Sequence, residues 1–138
     1  MRVLIIDEYA SREYKEFLEE HFSDIEVVGT CGIPRKGAEI LRHQYVDVVL
    51  MYLNTSSLMK NVDFSHALGG PPLLVLLTND IEIDRADYLC YDYNIIVDIL
   101  IRPPMLEDFI AAFRKARALL DPEYRREQLF DESYFCLN

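Results

Sequence analysis

Positive charge is scarce in this sequence. Across 138 residues there are 14 Lys and Arg against 24 Asp and Glu, a formal net charge of −10. Gripping a nucleic-acid backbone depends on neutralising phosphates with Lys and Arg, so this balance argues against direct nucleic-acid contact. The one local exception, Arg114, Lys115, Arg117, Arg125 and Arg126, is interrupted by Asp121 and Glu123 and reads as a solvated helix face. Cysteine is sparse too: Cys31, Cys90 and Cys136 lie far apart, with no Cys-x-x-Cys pair and no nearby histidine partner. That pattern fits reduced thiols in a cytosolic protein. His21, His43 and His66 are scattered on separate elements, so no metal is expected. No apolar run approaches the roughly 20 residues that span a bilayer, and the opening turns acidic at Asp7, too soon for a signal peptide. A cytoplasmic protein without membrane association is expected. Phosphate-binding loops, dinucleotide fingerprints, nucleophile elbows and zinc-ligand spacings are all missing, so no enzyme is expected.

What is present is a balance of 51% hydrophobic and 28% charged residues, suited to one folded domain with a short appendage. Five apolar runs recur, at 3–6, 25–28, 46–51, 73–77 and 95–101. Most are nearly continuous in Val, Ile and Leu, the composition of strands buried on both faces of a parallel sheet. Parallel neighbours require crossovers, and the intervening segments supply them. In the first, Tyr14, Phe17, Leu18 and Phe22 share a face opposite Glu13, Glu16, Glu19 and Glu20, with Ser11 as N-cap. The second starts at Pro34 and carries Ile40, Leu41 and Tyr45 inward. The third reads as a long loop and a short helix over 62–68, closed by Gly69-Gly70-Pro71-Pro72. A fourth helix runs over 81–91. In the fifth, Leu106, Phe109, Ile110, Phe113 and Leu120 form one apolar stripe. Alternating strands and helices predict an α/β doubly wound parallel sheet over residues 1–120. A tail over 121–138 follows, where Asp121-Pro122 signals a short helix.

Four strands deliver polar residues at their C-terminal ends: Asp7 and Glu8, Tyr52, Thr78, and Arg102. Open α/β sheets bind ligands outside those ends, where the strand order reverses. The spacing therefore directs these groups toward one crevice.

Arg2-Val3-Leu4-Ile5-Ile6-Asp7-Glu8 resembles the opening of a response-regulator receiver domain, where a strand runs into an acidic pair. The run from Val46 to Asn54 resembles the family's third strand, with Tyr52 where the phosphoacceptor aspartate belongs. Leu76-Leu77-Thr78 resembles the strand ending in the signalling Thr or Ser, and Asp98-Ile99-Leu100-Ile101-Arg102-Pro103 the last strand, where the family has Lys before Pro. The resemblance covers residues 1–120. It implies a flavodoxin-like, five-stranded parallel sheet in the order 2-1-3-4-5 with helices on both faces, a phosphoryl pocket using magnesium, and a cis bond before Pro103.

The departures define the expected function. A tyrosine phenol is neutral at pH 7 and offers neither the nucleophile nor the hard oxygen ligand that a carboxylate supplies. Arg102 keeps the charge of the family's Lys as a planar fork and is expected within ion-pair reach of Asp7 or Glu8. The switch position, Thr78 with an aromatic, has Ile99 instead. The reading is a degenerate receiver, a phosphorylation-independent interaction module in signal transduction, with magnesium binding doubtful. Two alternatives stay open: a phosphorelay receiver using Asp7 or Glu8 with magnesium, and a flavodoxin-like module that binds a small molecule. Protein partners are expected, with homodimerisation through the fourth and fifth helices or the tail. Tyr88, Tyr91, Tyr93, Phe130, Tyr134 and Phe135 are candidates for such a surface, since aromatics are enriched at interface cores.

Overall fold

The computed structural model describes residues 1–53, 62–79 and 95–121. The fourth helix expected at 81–91, most of the tail, and the aromatic surface residues just named lie outside that range. Two compact units are present, Met1–Pro104 and Met105–Asn138. The first contains β1 (Arg2–Ile6), α1 (Ser11–His21), β2 (Glu26–Cys31), α2 (Pro34–His43), β3 (Val48–Tyr52), β4 (Leu73–Thr78) and β5 (Ile95–Ile101); the second contains α3 (Leu106–Leu120). Among the described residues no helix is long and apolar enough to cross a membrane.

The strands form one parallel sheet in the order β2-β1-β3-β4-β5, as the resemblance implied. Winding proceeds from β1 outward to β2, then returns past β1 to β3. Right-handed crossovers therefore place α1 and α2 on opposite faces of the sheet. The three inner strands are buried almost throughout, whereas β2 and β5 are partly exposed. Burial on both faces thus holds for β1, β3 and β4 and fails for the two edge strands, which have a neighbour on one side only. Strand ends differ as well: β2 runs on through Gly29, Thr30 and Cys31, and β3 begins at Val48. Main-chain pairing to β1 continues where the apolar run of the sequence stops.

On one face Leu4 and Ile6 of β1, Val49 and Met51 of β3, and Leu74 and Leu76 of β4 pack with Leu41 of α2. Gly37 lets α2 approach this closely, because a methyl group there would overlap Ile6. Tyr45, expected inward, is 48% exposed. Its helix ends at His43 with Gln44 already extended, so helical spacing no longer governs where its ring goes.

The helix expected over 62–68 is absent. Asp63 Oδ1 instead accepts bonds from the Ser65 N–H at 3.0 Å and its hydroxyl at 2.6 Å, a local arrangement that competes with helix formation. Two successive turns follow, Ala67 N–H to Phe64 O and Gly70 N–H to Ala67 O, and Gly69 and Gly70 take positive φ. The Leu68 N–H ties this loop to the Leu41 carbonyl at 2.7 Å. Val62 and Phe64, both buried, join the core face. In α3 the buried stripe is Phe109, Ala112, Phe113 and Ala116, while Ile110 and Leu120 are exposed. Alanines complete the i, i+3, i+4, i+7 face that larger side chains suggested elsewhere. Asp108 Oδ2 accepts the Met105 N–H at 2.8 Å and closes its first turn.

Because Phe64 sits in a loop yet serves the core, Phe64→Ala is expected to cost about 3–5 kcal/mol in urea unfolding. Leu68→Ala, at an exposed position of the same loop, should stay within about 0.5 kcal/mol.

Candidate functional site

β1 ends into Asp7, whose N–H still bonds the Cys31 carbonyl of β2 at 2.9 Å. Its side chain turns inward and is 2% exposed as a residue. Oδ1 accepts the N–H groups of Tyr9 at 2.8 Å and Ala10 at 3.0 Å. This carboxylate organises the entry into α1. Ser11, the expected N-cap, is instead the first helical residue; Ala10 is the cap residue and makes no side-chain cap. Asp7 acts one turn earlier, ordering the Tyr9 and Ala10 main chain that leads into the helix.

The second carboxylate oxygen, Oδ2, is buried and has no hydrogen-bond partner among the described residues. Arg102 Nη1 lies 3.8 Å from it, an ion pair between side chains 21% and 0% exposed. That separation is too long for a hydrogen bond. The expected pairing of Arg102 therefore falls on Asp7. Glu8 is exposed, its main chain beside Gly32, because consecutive residues leaving a strand diverge. The Arg102–Pro103 bond is cis.

The path from β5 to β1 crosses the ends of β4 and β3, since neighbouring strands stand about 4.8 Å apart. Arg102 makes this crossing over the last residue of β3: its guanidinium carbon lies 4.2 Å from the centroid of the Tyr52 ring, a cation–π contact. The Tyr52 hydroxyl accepts a bond from Asn79 Nδ2 at 2.8 Å. Thr78, at the end of β4, is buried, and its carbonyl accepts the Arg102 N–H at 2.7 Å. A further phenol stands nearby on α1: Tyr14, near enough to Arg102 for the guanidinium to act on its titration. Burial raises the Tyr14 pKa above its ordinary value, Arg102 opposes that rise, and Asp7 and Glu13 reinforce it.

Asp7, Tyr52, Thr78 and Arg102 are thus brought together, Glu8 stands outside, and Ile99 belongs elsewhere. Ile99 pairs with Leu76 in the sheet and packs against the apolar core face. Tyr14 and Asn79 were not singled out from the sequence. Tyr14 carried the weak signal of an aromatic with a polar tip on an apolar stripe, and Asn79 only its place beside Thr78.

A magnesium ion requires hard oxygen donors, and few are gathered among the described residues of this cluster. Among the described residues Asp7 is the one carboxylate turned into this cluster, a ring face stands at the end of β3, and a guanidinium stands against the second carboxylate oxygen. Among the described residues no three His, Cys, Asp or Glu side chains group together.

No family model matches the sequence, and no curated protein matches it. Solved structures do. The response regulatory domain of protein mrkE from Klebsiella pneumoniae superposes with a TM-score of 0.65 at 20% identity, covering 86% of this chain and 97% of that one. A CpaE2 protein of Sinorhizobium meliloti, assigned to pilus assembly, gives 0.64 at 13% identity over 83% of this chain and 98% of its own. The response regulator domain of Thermotoga maritima CheB gives 0.53 at 19% identity, covering 91% and 94%. The fold is that of receiver domains.

Removing the guanidinium should strand a buried carboxylate. Arg102→Leu is expected to lower stability by about 3 kcal/mol at neutral pH. The double variant Asp7→Asn/Arg102→Leu, which removes both charges, should recover most of that loss when both are measured by denaturant unfolding.

Proposed function

We propose that this chain is a receiver-fold signalling module that works without phosphorylation, engaging a protein partner in the cytoplasm rather than catalysing a reaction. One observation carries the reading. The Arg102 guanidinium sits 3.8 Å from Asp7 Oδ2 and 4.2 Å above the Tyr52 ring, so a tethered cation stands where phosphoryl chemistry needs a free carboxylate and a metal. A carboxylate nucleophile must be reachable by the phosphoryl donor. Asp7 is buried, its Oδ1 is committed to two backbone donors, and its Oδ2 faces a positive charge. Glu8 is exposed, and among the described residues no set of acidic side chains converges on it. The cation that a phosphorylatable receiver recruits is here supplied by the chain itself.

Two measurements test this. Incubation with acetyl phosphate and magnesium, followed by intact-mass and peptide mass spectrometry, should leave the wild-type chain unlabelled. One added phosphate mapped to Asp7 or Glu8 would establish a working phosphoacceptor instead. Replacing Tyr52 with Asp brings a carboxylate beside Asp7 and should rebuild part of a hard-oxygen site. Ligands that bind only the folded state raise its apparent stability by mass action. Thermal unfolding of Tyr52→Asp should therefore shift upward with magnesium, while the wild type should not. Without the ion the variant should be less stable than wild type, because like charges then crowd one crevice.

A further inference from the structure

Asn79 stands one residue beyond β4 and takes no part in the ion pair, yet its Nδ2 donates to the Tyr52 hydroxyl at 2.8 Å. The Tyr52 ring is the surface on which the Arg102 guanidinium rests at 4.2 Å. That guanidinium in turn serves Asp7 at 3.8 Å and the Tyr14 phenol. The main chain of Arg102 is anchored separately, through its N–H on the Thr78 carbonyl, so the side chain is the part free to rearrange. No single contact dominates its position. The ion pair is longer than a hydrogen bond, and a cation–π contact with a partly exposed partner is weak. The Tyr52 hydroxyl lies at the far end of the ring, on the axis about which χ2 turns, so a bond to it holds χ1 and the place of the ring rather than χ2.

We propose that Asn79 is a positioning residue: by fixing the Tyr52 hydroxyl it holds the ring in place beneath Arg102, and so sets how completely Arg102 covers Asp7. The inference rests on the reading that Arg102 occupies the pocket, and it names how that occupancy is regulated. The resemblance placed the switch at Thr78 and Ile99. Ile99 instead packs in the core, and a side-chain link from the end of β4 to the pocket runs from Asn79 through Tyr52 to Arg102. Asn79 leads directly into residues 80–94, so a partner that engages its amide competes with the Tyr52 hydroxyl and loosens the cation from Asp7.

Two readouts on the full chain test this. The first is the rate at which phenylglyoxal modifies Arg102, resolved by peptide mass. The second is titration of the Tyr14 phenol by NMR with isotope-labelled tyrosine, its signal identified among nine tyrosines with Tyr14→Phe. Arg102 holds the Tyr14 pKa down against burial, Asp7 and Glu13, so loosening Arg102 moves that titration to higher pH. Asn79→Ala should speed Arg102 modification about fivefold, the factor corresponding to one hydrogen bond, and raise the Tyr14 titration. Tyr52→Phe keeps the ring and removes the hydroxyl; it should act like Asn79→Ala, and the two together should do no more than either alone. Asn79→Gln retains the amide donor and should restore part of the wild-type behaviour. If Asn79→Ala changes neither readout while Arg102→Leu still moves Tyr14, the positioning role is overturned and the occupied pocket stands. If Arg102→Leu leaves Tyr14 unmoved as well, the guanidinium is not in the pocket and both readings fall.

Discussion

The ion pair between Arg102 and Asp7 is the constraint around which the functional end of the sheet is arranged. A carboxylate that is fully buried needs compensation, since burying an unpaired charge is among the most destabilising arrangements a protein can adopt. Asp7 receives it in two parts. The backbone N–H groups at the start of α1 satisfy one oxygen, and the guanidinium from β5 stands against the other. Moving either part disturbs both the helix entry and the charge balance.

Strand order turns this pairing into a pocket architecture. β1 and β5 are separated by β3 and β4, so the cation can reach Asp7 only by passing across the strand ends between them. The residue it crosses on β3 is Tyr52, whose flat ring offers a cation a favourable face where a carboxylate would have offered an opposite charge. Tyr52 and Arg102 are therefore physically coupled. A long, forked cation suits the crossing, and an aromatic at position 52 suits the cation. Asn79 after β4 then bonds the Tyr52 hydroxyl, and Tyr14 from α1 lies within the electrostatic reach of Arg102.

Much of this was legible in the residues. Val, Ile and Leu runs at regular intervals announce buried parallel strands, because only such strands lose the polar alternation of a half-solvated sheet. The polar residues at their ends announced a common crevice, and the Arg102–Asp7 pairing followed from needing a cation near a carboxylate. Local competition was harder to read. Asp63 bonding to Ser65 keeps a helix from forming at 62–68, and Asp7 rather than Ser11 opens α1.

By itself, the sequence determined the fold class, the succession of the five strands and which strand ends carry polar residues, since hydrophobic period and residue type are local properties that survive without coordinates. Only the tertiary structure decided which of two adjacent acids turns inward, that the ring of Tyr52 lies flat beneath Arg102, and that Tyr14 and Asn79 belong to the same cluster. Those outcomes depend on side-chain direction across strands far apart in the chain. Spacing along a sequence does not encode them, because they are set by how the sheet brings separate strand ends to one place.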